Sequence, residues 1–581
     1  MELLSGNEAI ARGAWEAGVR FAAAYPGTPS TETLEALGKY DGVYAEWATN
    51  EKVAVESAVG ASIAGARVLS TMKHVGVNVA ADPLFTAACT GVHGGMVVLA
   101  ADDPGMYSSQ NEQDSHYYAA AAKIPMLDPA DSQEAYQFTK DAFELSERFD
   151  VPFFIRSSVR ISHTKTPVEV GERVEVELKN YDVNCAKWVM MPAFAKPRRI
   201  VQLQRIAELS EWAETCPYNK VIEGSKEIGV ICGGAAYQHV RAALPDASVF
   251  KLGLSWPLPK KALAAFAASV DAVYVVEEGS TYMIDAVRAA GVNVSEAPCG
   301  IPSESELTAG IIKAAFGREL PAIKPAPADL PGRPPALCPG CPHRVVFREL
   351  NRMKALVMGD IGCYTLGTLP PLNAMNACID MGASISMAHG YEVAAEGTNH
   401  RPVVSVIGDS TFGHSGLSSL ISTVYNCGKG TVCILDNRTT AMTGRQGNPF
   451  NGITLQNRPS RELDLEGVVR ALGIDDVRVI DPYSVKEVRK ALKEATSSDE
   501  LSVLIFRHPC ILLTKQHEAA YSVTADCVGC GVCNTLGCPA ISKNKQGIAA
   551  IDESMCIGCG QCAQYCGSKA IQQLVPTNNI A

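Results

Sequence analysis

No run of apolar residues in this 581-residue chain approaches the roughly 18 needed to cross a bilayer, so no membrane-spanning helix is expected. Basic residues are also short: 51 Lys and Arg against 62 Asp and Glu leave a net charge of −11. With no cationic excess to neutralise phosphates, nucleic acid is excluded as a partner. The first residues, MELLSGNEAIARGAWEAG, lack a cationic stretch followed by an apolar core. No secretory signal is visible there, and a cytoplasmic location is expected. Charged residues make up only 19% of the chain and hydrophobic ones 47%, an ordinary globular balance. At this length the prior is about four domains. What the chain has in quantity is cysteine, twenty residues. Without an export signal they point to metal rather than to disulfides.

Residues 1–161 alternate helical patterns with short apolar runs at 19–24, 96–100 and 151–155, which predicts an α/β domain on a parallel sheet. From 162 to about 184 the sequence turns polar and alternates Val with Glu; 162–225 reads as a linker with an exposed strand or two. A second α/β unit is expected over 226–316, with strands at 228–232 and 272–276. Gly233-Gly234 marks a strand-to-helix turn there, for which close helix packing is the expected reason. Six prolines between Pro321 and Pro335 make 317–336 a semi-rigid linker. A third α/β domain follows over 337–513, and 514–581 reads as a separate small module.

The third domain contains VVSVIGDSTFGHSGLSSLISTVYNCGKGTVCILDNRTT at 403–440. A β-branched run ends in Gly408-Asp409-Ser410, a helix-compatible segment follows from about 415 to 426, and a second run ends in Asp436-Asn437. This is a βαβ unit with both polar tips at the carboxyl ends of its strands, where parallel sheets bind ligands. Gly408 lets the backbone approach a phosphate, and Asp409 with the Asn437 amide oxygen offers hard oxygen ligands. Mg²⁺ takes one or two carboxylates, with ligand phosphates completing its shell. The layout suits a thiamine diphosphate (ThDP) site. Any strand-helix-strand unit with an acidic tip would look the same.

In the tail, Cys527-x-x-Cys530-x-x-Cys533 recurs 29 residues on as Cys556-x-x-Cys559-x-x-Cys562, with Cys538-Pro539 and Cys566 downstream. Zinc knuckles or a disulfide knot are the alternatives to iron–sulfur ligation. The pattern resembles the bacterial two-cluster ferredoxins, in which the fourth cysteine of each run crosses to the other cluster. That resemblance implies one [4Fe-4S] cluster on Cys527, Cys530, Cys533 and Cys566, and another on Cys556, Cys559, Cys562 and Cys538. The chain departs from the pattern twice. Four residues rather than three separate Cys533 from Cys538, and Gly567 stands where proline is usual. A further CxxC, Cys338-Pro-Gly-Cys341, together with Cys363 and Cys510, could close a third four-thiolate site; a lone CxxC is also a zinc or redox motif. The remaining cysteines, such as Cys89, Cys232 and Cys433, are expected in the core.

Larger motifs carry a family resemblance. CPGCPHR at 338–344, GDIGCYTLG at 359–367, MGASISMAHG at 381–390 and GDSTFGHSG at 408–416 look like the diphosphate-binding domain of 2-oxoacid:ferredoxin oxidoreductases. YPGTPST at 25–31, TNEKVAVE at 49–56, KHVGVN at 73–78 and SSQNEQD at 108–114 look like their pyrimidine-binding domain. The domain order is similar to the large subunits that act on indolepyruvate. The resemblance implies an α/β fold class of several ThDP-fold, Rossmann-like parallel-sheet domains, one of them transketolase C-terminal-like (226–316), with a C-terminal two-cluster ferredoxin domain. It implies ferredoxin-dependent oxidative decarboxylation of aryl pyruvates with coenzyme A as cosubstrate. The alternatives are an electron-transfer iron–sulfur subunit without its own catalysis and a ThDP 2-oxoacid oxidoreductase of different substrate range; a ThDP decarboxylase without oxidation is argued against by three cluster motifs on one chain.

The same resemblance assigns residues. Glu51, with Asn50 as helix cap, would be catalytic at the ThDP pyrimidine ring. Thr28, Asn111 and Gln113 would contact substrate. Gly408, Asp409, Ser410, Gly382, His343 and Asn437 would bind the cofactor, with Asp409, Asn437 and the Thr439 carbonyl holding Mg²⁺. Cys338, Cys341, Cys363 and Cys510 would hold a third cubane, although CPGCPH has proline where many relatives have glycine. The implied partners are a small beta subunit, in a two-plus-two hetero-oligomer, and ferredoxin.

Overall fold

The computed structural model describes residues 1–180, 183–302, 304–320, 327–396, 398, 400–514 and 517–574. The chain divides into two compact units between 325 and 326. The division falls inside the proline-rich 317–336 stretch, of which 321–326 lie outside the described residues.

The first unit is built on a seven-stranded sheet, in the order Leu254–Trp256, Met126–Leu127, Phe153–Ser158, Met96–Asp102, Val68–Lys73, Phe21–Ala24, Tyr44–Trp47. Val68–Lys73 and Met96–Asp102 are buried along their whole length, as central strands covered on both faces must be. Phe21–Ala24 pairs in parallel with Tyr44–Trp47 on one side and Val68–Lys73 on the other. The chain therefore reverses its travel across the sheet at these strands, and the loops leaving them part to form a crevice at the carboxyl end.

A second sheet of the first unit runs Val273–Val276, Ser225–Gly233, Ala247–Leu252, Lys220–Ile222 and contains both strands expected in 226–316. The Gly pair is there for packing: Gly234 has φ +50°, and a Cβ on it would lie 2.7 Å from the Asp128 carboxylate. Leu254–Trp256, however, joins the larger sheet antiparallel to Met126–Leu127, so the two sheets share a strand-bearing segment. The expected linker 162–225 also differs, since it carries the 22-residue helix Pro192–Ala213. Half of that helix's buried positions are polar, Gln202 and Arg205, and Arg205 and Arg198 pair with Asp150. With no continuous apolar stripe, a periodicity reading misses it.

The second unit has an all-parallel five-stranded sheet in the order Leu356–Met358, Val403–Gly408, Gly430–Asp436, Leu501–Arg507, Asp476–Ile480. The 403–440 stretch forms the expected βαβ unit. Its helical segment begins earlier than expected, at Asp409, and passes through a π turn at Phe412–Gly416 before Leu417–Tyr425. Gly413 and Gly416 mask that start, because glycine opposes helix on propensity. Gly416 is required by packing, since a Cβ there would sit 2.4 Å from Ile407 Cδ1.

In the tail, Tyr521–Val523 pairs antiparallel with Ile571–Gln573, and Ile541–Lys543 with Ala549–Ile551. The tail does not pack as a separate module. One core joins Val345, Phe347, Leu350, Val404 and Phe506 to Leu536, Cys562, Tyr565 and Ile571. The eight other cysteines divide: Cys216, Cys232 and Cys433 are buried, Cys89 and Cys378 half-buried, and Cys185, Cys299 and Cys427 exposed. Membership of a generally apolar run does not settle which side faces the core.

Candidate active site

In the first unit, the carboxyl-end crevice collects the residues expected there. Asn50 caps the helix Glu51–Ile63, its side chain accepting from the Val53 amide at 2.9 Å. Glu51 follows in the first turn and is buried. Gly76 makes room for it, since a Cβ at 76 would lie 2.6 Å from Glu51 Oε1. Thr28 sits half-buried in a turn closed by Ser30, whose amide and hydroxyl both donate to the Gly27 carbonyl, at 2.9 and 2.8 Å.

Between Thr28 and Glu51 lies Lys73, a residue not singled out from the sequence although KHVGVN contains it. Its ammonium donates to the Ser108 carbonyl at 3.0 Å. Burial lowers its pKa, while Asp103 and Glu51 favour its charge. His74 is buried, which lowers its pKa and holds it neutral. Its Nε2 meets the Asn111 carbonyl at 3.1 Å, and its Nδ1 has no partner among the described residues. Asn111 in turn accepts from Gln113 at 2.9 Å, and Gln113 accepts from the Tyr118 hydroxyl at 3.2 Å. These strand ends thus carry a carboxylate, an amine, an imidazole with an unpartnered nitrogen, and two amides. Such a donor set suits a polar heterocycle or an oxoacid.

In the second unit, register places the two acidic tips side by side, with Gly408 opposite Leu435 on adjacent strands. Asp409 is 2% exposed. Burial, reinforced by the neighbouring Asp436, pushes its carboxyl up to about 7, and a 2.9 Å bond from the Asn448 amide opposes the rise. A buried acid kept from ionising by its surroundings is a cation site in waiting, because a bound metal reverses that balance. Asn437 accepts from the Thr439 amide at 3.2 Å through Oδ1. Arg438 between them has φ +64°, which turns the chain back on itself. Ser410 and Thr440 share a hydroxyl contact of 2.7 Å. Asn448 had no sequence signal beyond being polar.

Three expected cofactor positions have a different local reason. A Cβ on Gly408 would meet the Tyr364 ring at 2.7 Å, so this glycine admits an aromatic side chain. Gly382 has φ +93° ahead of the helix Ala383–Ala394, and its amide is already taken by Asp360 at 2.8 Å. His343 is buried, its pKa lowered to about 4, edge-on to Tyr364 at 6.1 Å between ring centroids.

Several of the thiols lie close enough to influence one another. Burial and the thiolates of Cys363 and Cys338 push Cys341 up to about 12; burial, Cys510 and Cys338 push Cys363 up to about 11. The Cys510 amide donates to the Asn437 carbonyl at 2.9 Å, tying this set to the proposed Mg²⁺ strap. In the tail, Cys538, Cys556, Cys559 and Cys562 line one small cavity walled by Leu536, Ile541 and Ile551. Burial, Cys559, Cys538 and Cys556 raise Cys562 to about 12. Cys533 is raised by burial with Cys530 and Cys527 beside it. Cys566 Sγ lies 3.6 Å from the Ser568 hydroxyl, and its thiol is lowered by that contact and by nearby amides against the opposing effect of burial. The duplication extends to backbone: Gly529 and Gly531 have φ +69° and +72°, and Gly558 and Gly560 have +76° and +67°. Thiols that repel one another when ionised fit a cluster whose iron stabilises thiolate.

Among the described residues no helix is long and apolar enough to cross a membrane. Residues 12–235 match a family model described as pyruvate flavodoxin/ferredoxin oxidoreductase, thiamine diphosphate-binding. Residues 360–506 match the C-terminal TPP-binding domain of thiamine pyrophosphate enzymes, and 549–572 match a 4Fe-4S binding domain. The chain is 39% identical to indolepyruvate oxidoreductase subunit IorA of Archaeoglobus fulgidus, over 98% of this chain and 97% of that one. It is 39% identical to the IorA subunit of Thermococcus kodakarensis and 38% identical to that of Methanothermobacter marburgensis, at the same coverage. Both thiamine-binding models match one chain, which sets aside the alternative of an electron carrier without catalysis. The chain is an iron–sulfur, thiamine diphosphate-dependent enzyme and belongs to the IorA family of 2-oxoacid:ferredoxin oxidoreductases.

Proposed function

We propose that this chain catalyses oxidative decarboxylation of aryl pyruvates, indolepyruvate among them, to aryl-acetyl-CoA and CO₂, passing electrons to ferredoxin. When bound, thiamine diphosphate supplies the electron sink that lets a 2-oxoacid lose CO₂. Glu51, buried at the start of its helix, would hold the proton at the pyrimidine ring nitrogen. Lys73, at the end of its strand, and His74, the first residue of the helix that follows, would orient a carboxylate and a carbonyl, with Thr28, Asn111 and Gln113 bounding the substrate. Asp409, Asn437 and the Thr439 carbonyl would hold Mg²⁺. Among the described residues no group of three or more His, Cys, Asp or Glu side chains stands in metal-binding geometry, so the Mg²⁺ set relies on one carboxylate plus amide and carbonyl oxygens, and the thiol sets rest on cysteine spacing and the family resemblance. Three cubanes are proposed, on Cys338/Cys341/Cys363/Cys510, on Cys538/Cys556/Cys559/Cys562 and on Cys527/Cys530/Cys533/Cys566.

The observation that carries this reading is Asp409: a fully buried carboxylate beside Asp436 at the carboxyl ends of adjacent parallel strands, which a divalent cation would ionise. The named relatives are subunits, and a small beta subunit is proposed as the partner here too, in a two-plus-two assembly. The test is anaerobic co-expression with such a partner, followed by viologen reduction across aryl and aliphatic 2-oxoacids, with and without coenzyme A. Coenzyme A-dependent reduction should be fastest with aryl pyruvates. A clear preference for an aliphatic oxoacid would overturn the substrate assignment.

A further inference from the structure

Arg344 is the largest fully buried side chain among the described residues, 2% exposed. Among the described residues no carboxylate pairs with it. Its guanidinium instead donates to four main-chain carbonyls: Cys338 at 3.0 and 3.1 Å, Leu536 at 2.9 Å, Gly537 at 2.6 Å and Leu337. Two of these belong to the CPGC loop and two to the arm that carries Cys538. Burial works against its charge, and the nearest groups that favour it are the thiolates of Cys538, Cys341, Cys338 and Cys559. Arg344 also lines the cavity formed by Cys538, Cys556, Cys559 and Cys562.

A buried guanidinium satisfied only by carbonyls is costly unless a negative charge lies close by. An iron–sulfur cube held by four thiolates is net negative when oxidised and more so when reduced. Net charge, hydrogen bonding and exposure are what set its reduction potential. The arm Asn534–Gly537 is one residue longer than the ferredoxin pattern. It ends on Gly537 at φ +63°, where a Cβ would lie 2.9 Å from Pro371 and 3.4 Å from Arg344 Nη1. The extra residue is therefore folded into a turn that delivers two carbonyls to the arginine.

We propose that Arg344 is the shared counter-charge of two cluster sites, the one on Cys338/Cys341/Cys363/Cys510 and the one on Cys538/Cys556/Cys559/Cys562. It is a positioning residue that favours the reduced state at both and leaves the Cys527/Cys530/Cys533/Cys566 site unaffected. This rests on the three-cluster reading above. Iron content separates the two: wild-type protein with much less than about 12 iron per chain defeats the cluster reading itself.

The experiment uses the full-length protein, purified anaerobically with its partner subunit, in potentiometric titrations followed by electron paramagnetic resonance. Arg344→Gln should lower the ratio of reduced to oxidised cluster at fixed potential at least tenfold for two of the three signals, equivalent to about 59 mV for a one-electron couple. Arg344→Lys, which keeps the charge, should stay within threefold of wild type. Unchanged signals in iron-replete Arg344→Gln, or equal shifts in all three, overturn the proposal. If Arg344→Gln does not load iron, Arg344→Lys decides. Full loading with wild-type signals assigns the requirement to charge. Failure of both variants makes the role one of assembly alone, and the counter-charge proposal falls.

Discussion

Two buried carboxylates, Glu51 and Asp409, sit in different surroundings. Glu51 sits in the first turn of a helix near Lys73, whose cationic form it favours. Replacing it by Gln removes the ionisable group and little volume. Glu51→Gln should leave the visible iron–sulfur absorption intact and cut oxoacid-dependent dye reduction by about 10²-fold or more, the usual worth of a positioned acid–base group. Activity near wild type in that variant would remove Glu51 from the chemistry. Asp409 is raised to about 7 by burial and Asp436. Its folded-state value lies above the unfolded one, so without metal the folded state binds the extra proton, and apoprotein stability falls as pH rises from about 4 to 7. Metal binding must release that proton. Affinity for Mg²⁺ with thiamine diphosphate should therefore climb between pH 5.5 and 7 and level off above. Isothermal titration at several pH values checks the slope, and Asp409→Asn should abolish it along with most of the binding.

Helix starts and strand ends do the placing. The helix Glu51–Ile63 begins where Asn50 takes the Val53 amide, which fixes the first turn that carries Glu51. Asn50→Ala should cost about 1 kcal/mol of local helix stability, read as faster amide exchange over residues 51–54 with the rest of the unit unchanged. In the second unit, the helix His343–Met353 is clamped through Glu349, which is fully buried and bonded to Arg348, Arg352, Arg489 and the Tyr565 hydroxyl at 2.7 to 3.2 Å. Opposed by burial but outweighed by these partners, its carboxyl is held down to about 2. The folded value is depressed, so this stabilisation is present above pH 4.5 and is lost as pH falls toward 2. Glu349→Gln should flatten acid unfolding across that window in tryptophan-independent probes such as far-ultraviolet dichroism.

Taken whole, the second unit binds its tail through a common core rather than a tether. Leu536, Cys562, Tyr565 and Ile571 pack with Val345, Phe347 and Leu350, and the Gln561 amide donates to the Gly340 and Cys341 carbonyls at 3.3 and 3.4 Å. A chain ending at 513 would expose that apolar face, and contiguous apolar patches on soluble domains drive association. It should aggregate or bind hydrophobic dyes. A monodisperse truncated chain with an unchanged melting transition would show the tail to be dispensable for folding. The same continuity brings the CPGC loop and the arm that carries Cys538 onto one arginine.

The cysteine repeat, the polar strand tips at Asp409 and Asn437 and the Asn50 cap are legible from residue order, because their chemistry is set by neighbours a few positions away. Strand ends of a βαβ unit must lie at one edge, and cluster ligands must recur at fixed spacing. Lys73, Asn448 and Arg344 are not legible in that way. Their partners lie 35, 39 and 192 residues distant, and nothing local distinguishes a buried lysine, amide or guanidinium from a solvated one. The helix Pro192–Ala213 escaped for the same reason, since its buried face is half polar, with Arg205 meeting Asp150 and the Ala88 and Cys89 carbonyls and Gln202 meeting the Ala122 carbonyl. Periodicity and spacing report covalent neighbours and the side of an element that faces the core. Which charges end up inside, and against what, depends on long-range packing, because only a tertiary partner can offset the loss of water around a buried polar group.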